Sequence, residues 1–170
     1  GNIWPTGVHI TNKKTVPKTV AVGKQVQMYG AVTPVRLKQS VKWSVGKAFD
    51  TESKKHATIT SDGLVTFTSP GTVYIRANPE NALYSAVTDT VEFKVVSREE
   101  LSVTDFAIGG TLDIKEGETS QLTIENVSPA GAYTGDVKWE CSDTSVAVIT
   151  QDGTVTALDA GQGLQVSKTV

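Results

Sequence analysis

Apolar and polar residues alternate in short runs along most of the chain. Thr19-Val20-Ala21-Val22 and Thr111-Leu112-Asp113-Ile114 alternate and stop just ahead of a glycine turn. Longer runs follow, from Gln25 to Val32 and from Ser120 to Val127, each ending before a proline. Successive strand residues point to opposite faces, so Val41, Trp43 and Val45 share one face of a strand, as do Val137, Trp139 and Cys141. A last run, Thr88 to Val96, has no second copy. No stretch of a dozen residues has apolar side chains at helical spacing. Asp62-Gly63 and Asp152-Gly153 stand between alternating runs. They predict tight hairpins in which both turn residues take positive φ. Strands recurring every 8–12 residues or so, with turns between them, predict an all-β chain built as β-sandwich. Composition agrees: Thr and Val are abundant and Met occurs once, and β-branched residues favour pleated strands.

The pattern repeats. Val41-Lys42-Trp43-Ser44 recurs as Val137-Lys138-Trp139-Glu140, and Val22-Gly23-Lys24 as Glu116-Gly117-Glu118. Thr33-Pro34 pairs with Ser128-Pro129, and Thr60-Ser61-Asp62-Gly63 with Thr150-Gln151-Asp152-Gly153. Ser69-Pro70-Gly71 matches Asp159-Ala160-Gly161. Five landmarks in one order predict two tandem domains, residues 1–97 and 98–170, joined at the polar segment Ser97-Arg98-Glu99-Glu100.

These motifs resemble the bacterial immunoglobulin-like domain, group 2. In the second copy the resemblance runs through Glu116-Gly117-Glu118, Gln121-Leu122, Val137-Lys138-Trp139, Ser145-Val146-Ala147-Val148-Ile149, Gly153-Thr154-Val155-Thr156-Ala157 and Ala160-Gly161. In the first it runs through Val22-Gly23-Lys24, Val41-Lys42-Trp43-Ser44, Ala57-Thr58-Ile59, Gly63-Leu64-Val65-Thr66 and Gly71 to Ala77. It implies two tandem immunoglobulin-like β-sandwiches. Two departures stand out. The first copy carries an insertion, Gly46 to Lys55. The second has no counterpart of Thr88 to Val96 and so lacks its last strand. Alignment without a gap puts Gly163, Gln165 and Ser167 where Val73, Ile75 and Ala77 stand. A slip of one residue would bring Leu164 and Val166 to the core face instead.

Charge and chemistry narrow the function. The net charge is −2, but residues 1–97 carry +6 and residues 98–170 carry −8. The basic half fits an anionic partner such as an acidic polysaccharide or wall polymer, head-to-tail attraction between modules, or simple divergence of two copies. No helix is available for a nucleic-acid groove and arginines are not clustered, so no nucleic-acid partner is expected. No apolar run reaches the roughly 18 residues of a transmembrane helix, and no leader or anchor is read in these residues. One cysteine excludes an internal disulfide. His9 and His56 lack neighbours at ligand spacing, and no run of acids matches a calcium loop. No nucleophile motif, P-loop or dinucleotide fingerprint occurs, and no catalytic residue, metal or cofactor is expected. The chain is read as no enzyme.

Trp43 and Trp139 are expected in the sandwich cores rather than as sugar platforms, with Cys141 as a small buried residue beside the latter. The candidate ligand-binding residues are Phe49, Tyr84, Tyr133 and Trp4, aromatics placed in loops or ahead of the first strand, where recognition concentrates. The alternative for each is local packing under its loop. The family resemblance implies a stalk or adhesion module of a bacterial cell-surface protein, outside the cell, with a polysaccharide or a host or surface protein as partner. A carbohydrate-binding accessory module and a surface decoration of a phage virion are the other readings.

Overall fold

The computed structural model describes residues 4–81 and 87–158, and the backbone of 166–169. The chain divides into two compact units. Unit 1 comprises Gly1–Ser102 with Gly131–Tyr133, and unit 2 comprises Val103–Ala130 with Thr134–Val170.

In unit 1, β1 (Gly7–Ile10) pairs with β4 (Gly30–Thr33), and β3 (Gln25–Gln27) with β7 (Leu64–Phe67), which also pairs with β6 (Ala57–Ile59). A four-stranded sheet runs in the order β2 (Thr19–Ala21), β9 (Asp89–Val96), β8 (Gly71–Pro79), β5 (Val41–Val45). Strand β9 is antiparallel to β8 and parallel to β2. Alternation decides what is buried. Val73, Ile75 and Ala77 of β8 and Val91, Phe93 and Val95 of β9 face the core, with Phe67 and Phe93 rings tilted at 54° and 5.0 Å apart.

Unit 2 repeats the plan. Strand β10 (Asp105–Gly109) pairs with β12 (Thr123–Ser128). Strand β15 (Thr154–Ala157) lies between β11 (Thr119–Gln121) and β14 (Ala147–Ile149), and β13 (Lys138–Cys141) pairs with β16 (Val166–Thr169). The equivalents of β1 and β3 to β8 are therefore all present. Among the described residues nothing stands for β9. Among the described residues its core is formed by Leu122, Trp139, Ala147 and Val155, with Ile114, Ile124, Cys141 and Ile149 partly buried against it.

Four expectations are corrected. Gln25 to Val32 is not one strand: β3 and β4 belong to different sheets, and the chain turns between them at Met28 and Tyr29. The second copy does the same at Leu122. Alternation cannot register this change, because both sheets present their inner face to one core. Second, the hairpin aspartates do not take positive φ; Gly63 (94°) and Gly153 (88°) do. Gly63 N–H donates to Thr60 C=O (3.1 Å) and Thr60 N–H to Leu64 C=O (3.0 Å), and the bonds of residues 150–154 match. These are three-residue loops with a left-handed glycine in third place. Third, residues 111–114 form no strand. In unit 1 the equivalent β2 exists only by pairing with β9. Last, Trp43 is half-buried against the core rather than filling it, whereas Trp139 is 4% exposed.

The register answers the question of phase after Gly161. Ile75 stands opposite Val45 in unit 1, and Val166 stands opposite Cys141 in unit 2. Val166 thus holds the Ile75 position, as the one-residue slip requires; Leu164 lies outside the described residues.

The hairpin glycines also make room for tryptophan. A Cβ on Gly63 would lie 2.8 Å from Met28 O and 2.9 Å from Trp43 Nε1; one on Gly153 would lie 2.6 Å from Leu122 O. Gly63→Ala and Gly153→Ala should each destabilise their own unit by about 1–3 kcal/mol, from the disfavoured φ and the contact together. Denaturant unfolding followed by tryptophan fluorescence checks this.

Asp89 ties β1 to β9. Its carboxylate accepts from Ile10 N–H (2.8 Å), Lys13 Nζ (2.5 Å) and Thr90 N–H (3.0 Å). Partial burial pushes its pKa up, but these bonds outweigh it and hold it below the usual carboxylate range. The stabilisation is present above the unfolded-chain pKa of about 4 and is lost as pH falls through the lower folded value. Thermal melts should show unit 1 losing stability in that acid window, and Asp89→Asn should be less stable at neutral pH with a flatter acid limb.

Candidate functional site

The insertion of the first copy is a braced loop. Gly46 N–H donates to Tyr74 C=O (2.6 Å), and Tyr74 N–H donates to Ser53 Oγ (3.0 Å). Strand β5 has ended at Val45, so the insertion satisfies the next backbone groups along β8. Asp50 organises it, accepting from Glu52 N–H (2.9 Å), Ser53 N–H (3.2 Å) and Ser53 Oγ–H (2.6 Å). The Ser53 hydroxyl bond is the largest influence holding Asp50 below the usual carboxylate range. A 3₁₀ turn, Ser53–Lys55, follows, and Lys47 Nζ lies 4.0 Å from the Tyr74 ring centre. At the tip, Asp50 N–H donates to Lys47 C=O (3.0 Å), closing a turn with Phe49 in its third place. Phe49 has φ 65° and is fully exposed, at 104%. An aromatic at a position that favours glycine, gaining no burial, is costly backbone strain.

A second feature lies where β3 passes into β4. The Asn12 side chain donates to Gln27 C=O (2.8 Å) and accepts from Tyr29 N–H (3.0 Å), which fixes the change of sheet. Tyr29 is left 60% exposed. Together with half-buried Trp43 it lines an open cleft of about 360 Å³, with Gln39, Ser61, Asp62 and Glu80 around it. Gln39 is held by Val32 N–H (2.7 Å) and by donating to Leu37 C=O (2.8 Å), so the rim opposite Tyr29 is fixed too. Two aromatics beside carboxylates and hydroxyls suit a polyhydroxylated ligand: the rings offer apolar faces and the carboxylates accept from hydroxyls. Two acids on the rim disfavour an acidic polysaccharide here. The corresponding cleft of unit 2, about 390 Å³, has Thr123 at the Tyr29 position and a buried Trp139. It offers no exposed ring.

The four aromatics chosen from sequence fall differently. Phe49 is at the loop tip. Trp4 is 46% exposed ahead of β1. Tyr133 is half-buried, with the Arg98 guanidinium 4.0 Å from its ring centre. Tyr84 lies outside the described residues. None of the three described ones lines the unit 1 cleft. Tyr29 was missed because an unbroken strand put it on an outer face, and the alternation of Val26, Met28 and Val32 carries no signal of the corner. Burial pushes the Cys141 thiol up, making it a weak nucleophile. Among the described residues no three His, Cys, Asp or Glu side chains cluster to hold a metal, and no helix is long and apolar enough to cross a membrane.

Both units are all-β and immunoglobulin-like in plan. Residues 102–169 match the family model of the bacterial Ig-like domain (group 2), the family that the sequence motifs resemble. No curated protein matches the chain. Among solved structures, the S-layer protein rSbsC(31–844) is similar at 14% identity and a TM-score of 0.35, over 99% of this chain and 28% of that one. Domains 4 and 5 of SbsC match at 14% identity and a TM-score of 0.35, over 98% and 94%. A protocadherin gammaB7 EC3–6 cis-dimer structure matches at 11% identity and a TM-score of 0.39, over 96% and 51%. The chain thus spans little more than a quarter of the first of these. The family match identifies residues 102–169 as an Ig-like module.

Phe49→Gly should leave unit 1 as stable as before or raise its stability by up to about 1 kcal/mol, because relief of strain offsets the freer unfolded chain. Thermal unfolding reads this; a clear loss would mean that the ring packs against something.

Proposed function

We propose that the chain is a non-catalytic stalk or adhesion segment of an extracellular bacterial surface protein. The reading rests on one observation: the same sandwich plan occurs twice, each time around its own core, and one copy matches a bacterial Ig-like family. Modules that bury their own cores can be strung together to set reach. We place the module boundary at residues 97 and 98, where the sequence repeat puts it. Antibody against the chain, applied to intact source cells before and after protease shaving, tests the reading. A band lost on shaving supports it; a band that survives shaving, or is found only with released particles, overturns it in favour of virion decoration.

The Tyr29–Trp43 cleft favours a second reading, that unit 1 is a carbohydrate-binding module for neutral glycans. Tyr29→Ala should lower binding to a neutral glycan array at least tenfold with an unchanged melting temperature. Equal binding by the variant, or no neutral glycan bound at all, removes this reading without touching the first.

A further inference from the structure

Residues 1–97 carry a net charge of +6 that neither the core nor the cleft uses. The four-stranded sheet of unit 1 shows where part of it is arranged. Alternation sends Val73, Ile75 and Ala77 of β8 to the core, so Thr72, Tyr74, Arg76 and Asn78 take the outward positions. Lys42 and Ser44 of β5 and Thr90, Glu92 and Lys94 of β9 share that outer face. The register then puts one cation at each successive outward position of β8. Lys42 stands opposite Asn78, Arg76 is on the strand itself, and Lys94 stands opposite Thr72. The position between Arg76 and Thr72 belongs to Tyr74, and there the insertion lays Lys47 Nζ 4.0 Å from the ring centre. Outward positions on one strand recur about every 7 Å, so the four cations form a stripe roughly 20 Å long. Lys42, Lys47 and Lys94 are exposed. Arg76 Nε donates to Ser44 Oγ (3.0 Å), which sets the guanidinium on the face. Among these outward positions the one acid is Glu92, opposite Tyr74. In unit 2, Glu140 stands at the Ser44 position and Ser167 at the Arg76 position, so the stripe is no general property of the sandwich plan.

We propose that the outer face of this sheet binds an acidic polysaccharide, which lies along β8 with its carboxylates on Lys42, Arg76, Lys47 and Lys94. A row of like charges on one open face raises the local concentration of an anionic partner. The Arg76 fork suits a carboxylate held by two parallel bonds. Hydroxyls of Ser44, Thr72 and Thr90 stand among the cations and match those of a sugar chain. A nucleic acid fits less well, because Tyr74, the aromatic among these outward positions, is half-buried with Lys47 over its ring and is not offered to stacking bases. The stripe is separate from the Tyr29–Trp43 cleft: Trp43 takes the inward position between Lys42 and Ser44, and the cleft's rim carries acids. The proposal therefore stands or falls independently of both readings above.

The test uses the whole chain and polygalacturonate, a linear uronate polymer, with dextran as the neutral control. The uronate should bind and dextran should not, and raising salt from about 50 to about 500 mM should weaken binding at least about tenfold, because exposed charges are screened. Lys42→Glu with Lys94→Glu should weaken binding at least about tenfold at an unchanged melting temperature. Lys14, in the turn after β1, and Arg36, in the loop ahead of β5, lie off the face. Lys14→Glu with Arg36→Glu changes the net charge equally and should weaken binding less than about twofold. Tyr29→Ala should leave it unchanged. Equal loss in the two charge-reversed pairs, tighter binding of single-stranded DNA at the same salt, or no binding at millimolar uronate would each overturn the proposal.

Discussion

Every backbone N–H and C=O in a sheet needs a partner, and in unit 1 a single strand meets that need on two sides. Strand β9 satisfies β8 along seven residues, from Gly71 to Ala77, and makes β2 a strand at all. It also delivers Val91, Phe93 and Val95 to the core. The difference between the two units follows from this. Unit 2 keeps the hairpins, the tryptophan strand and the change of sheet, all set by local sequence or by strands still present. Among its described residues, what differs is what β9 supports in unit 1: residues 111–114 form no strand, and Ile114 is only partly buried.

The fold class and the repeat were legible because they rest on alternation and on landmarks such as the Trp43 and Trp139 strands. The change of sheet at Met28-Tyr29 was not. A strand that leaves one sheet for the other keeps pointing alternate residues at the same core, so its apolar pattern carries no mark of the break. The turn geometry was half legible: Gly63 and Gly153 were read as turn glycines, but the loop length depends on bonds from Thr60 and Thr150 that two-residue turn rules ignore.

The candidate site was legible in part. Loop position singled out Phe49, which is indeed exposed, but loop position also chose Tyr133, which is covered by Arg98. Sequence shows that an aromatic lies in a loop, not whether a cation lies over it. Tyr29 and Trp43 were assigned to strands and set aside. Their cleft arises only because Asn12, from a separate turn, pins the corner and leaves Tyr29 outside.

The insertion of the first copy is fixed at its two ends, by Gly46 on Tyr74 C=O and by Ser53 on Tyr74 N–H, with Asp50 bracing the span. The three residues between Gly46 and Asp50, Lys47 to Phe49, are all exposed and add nothing to the core. They form an interchangeable fingertip on a fixed knuckle. Selection can rewrite such a segment without refolding the domain, so related modules can diverge in what they touch while the sandwich beneath stays the same.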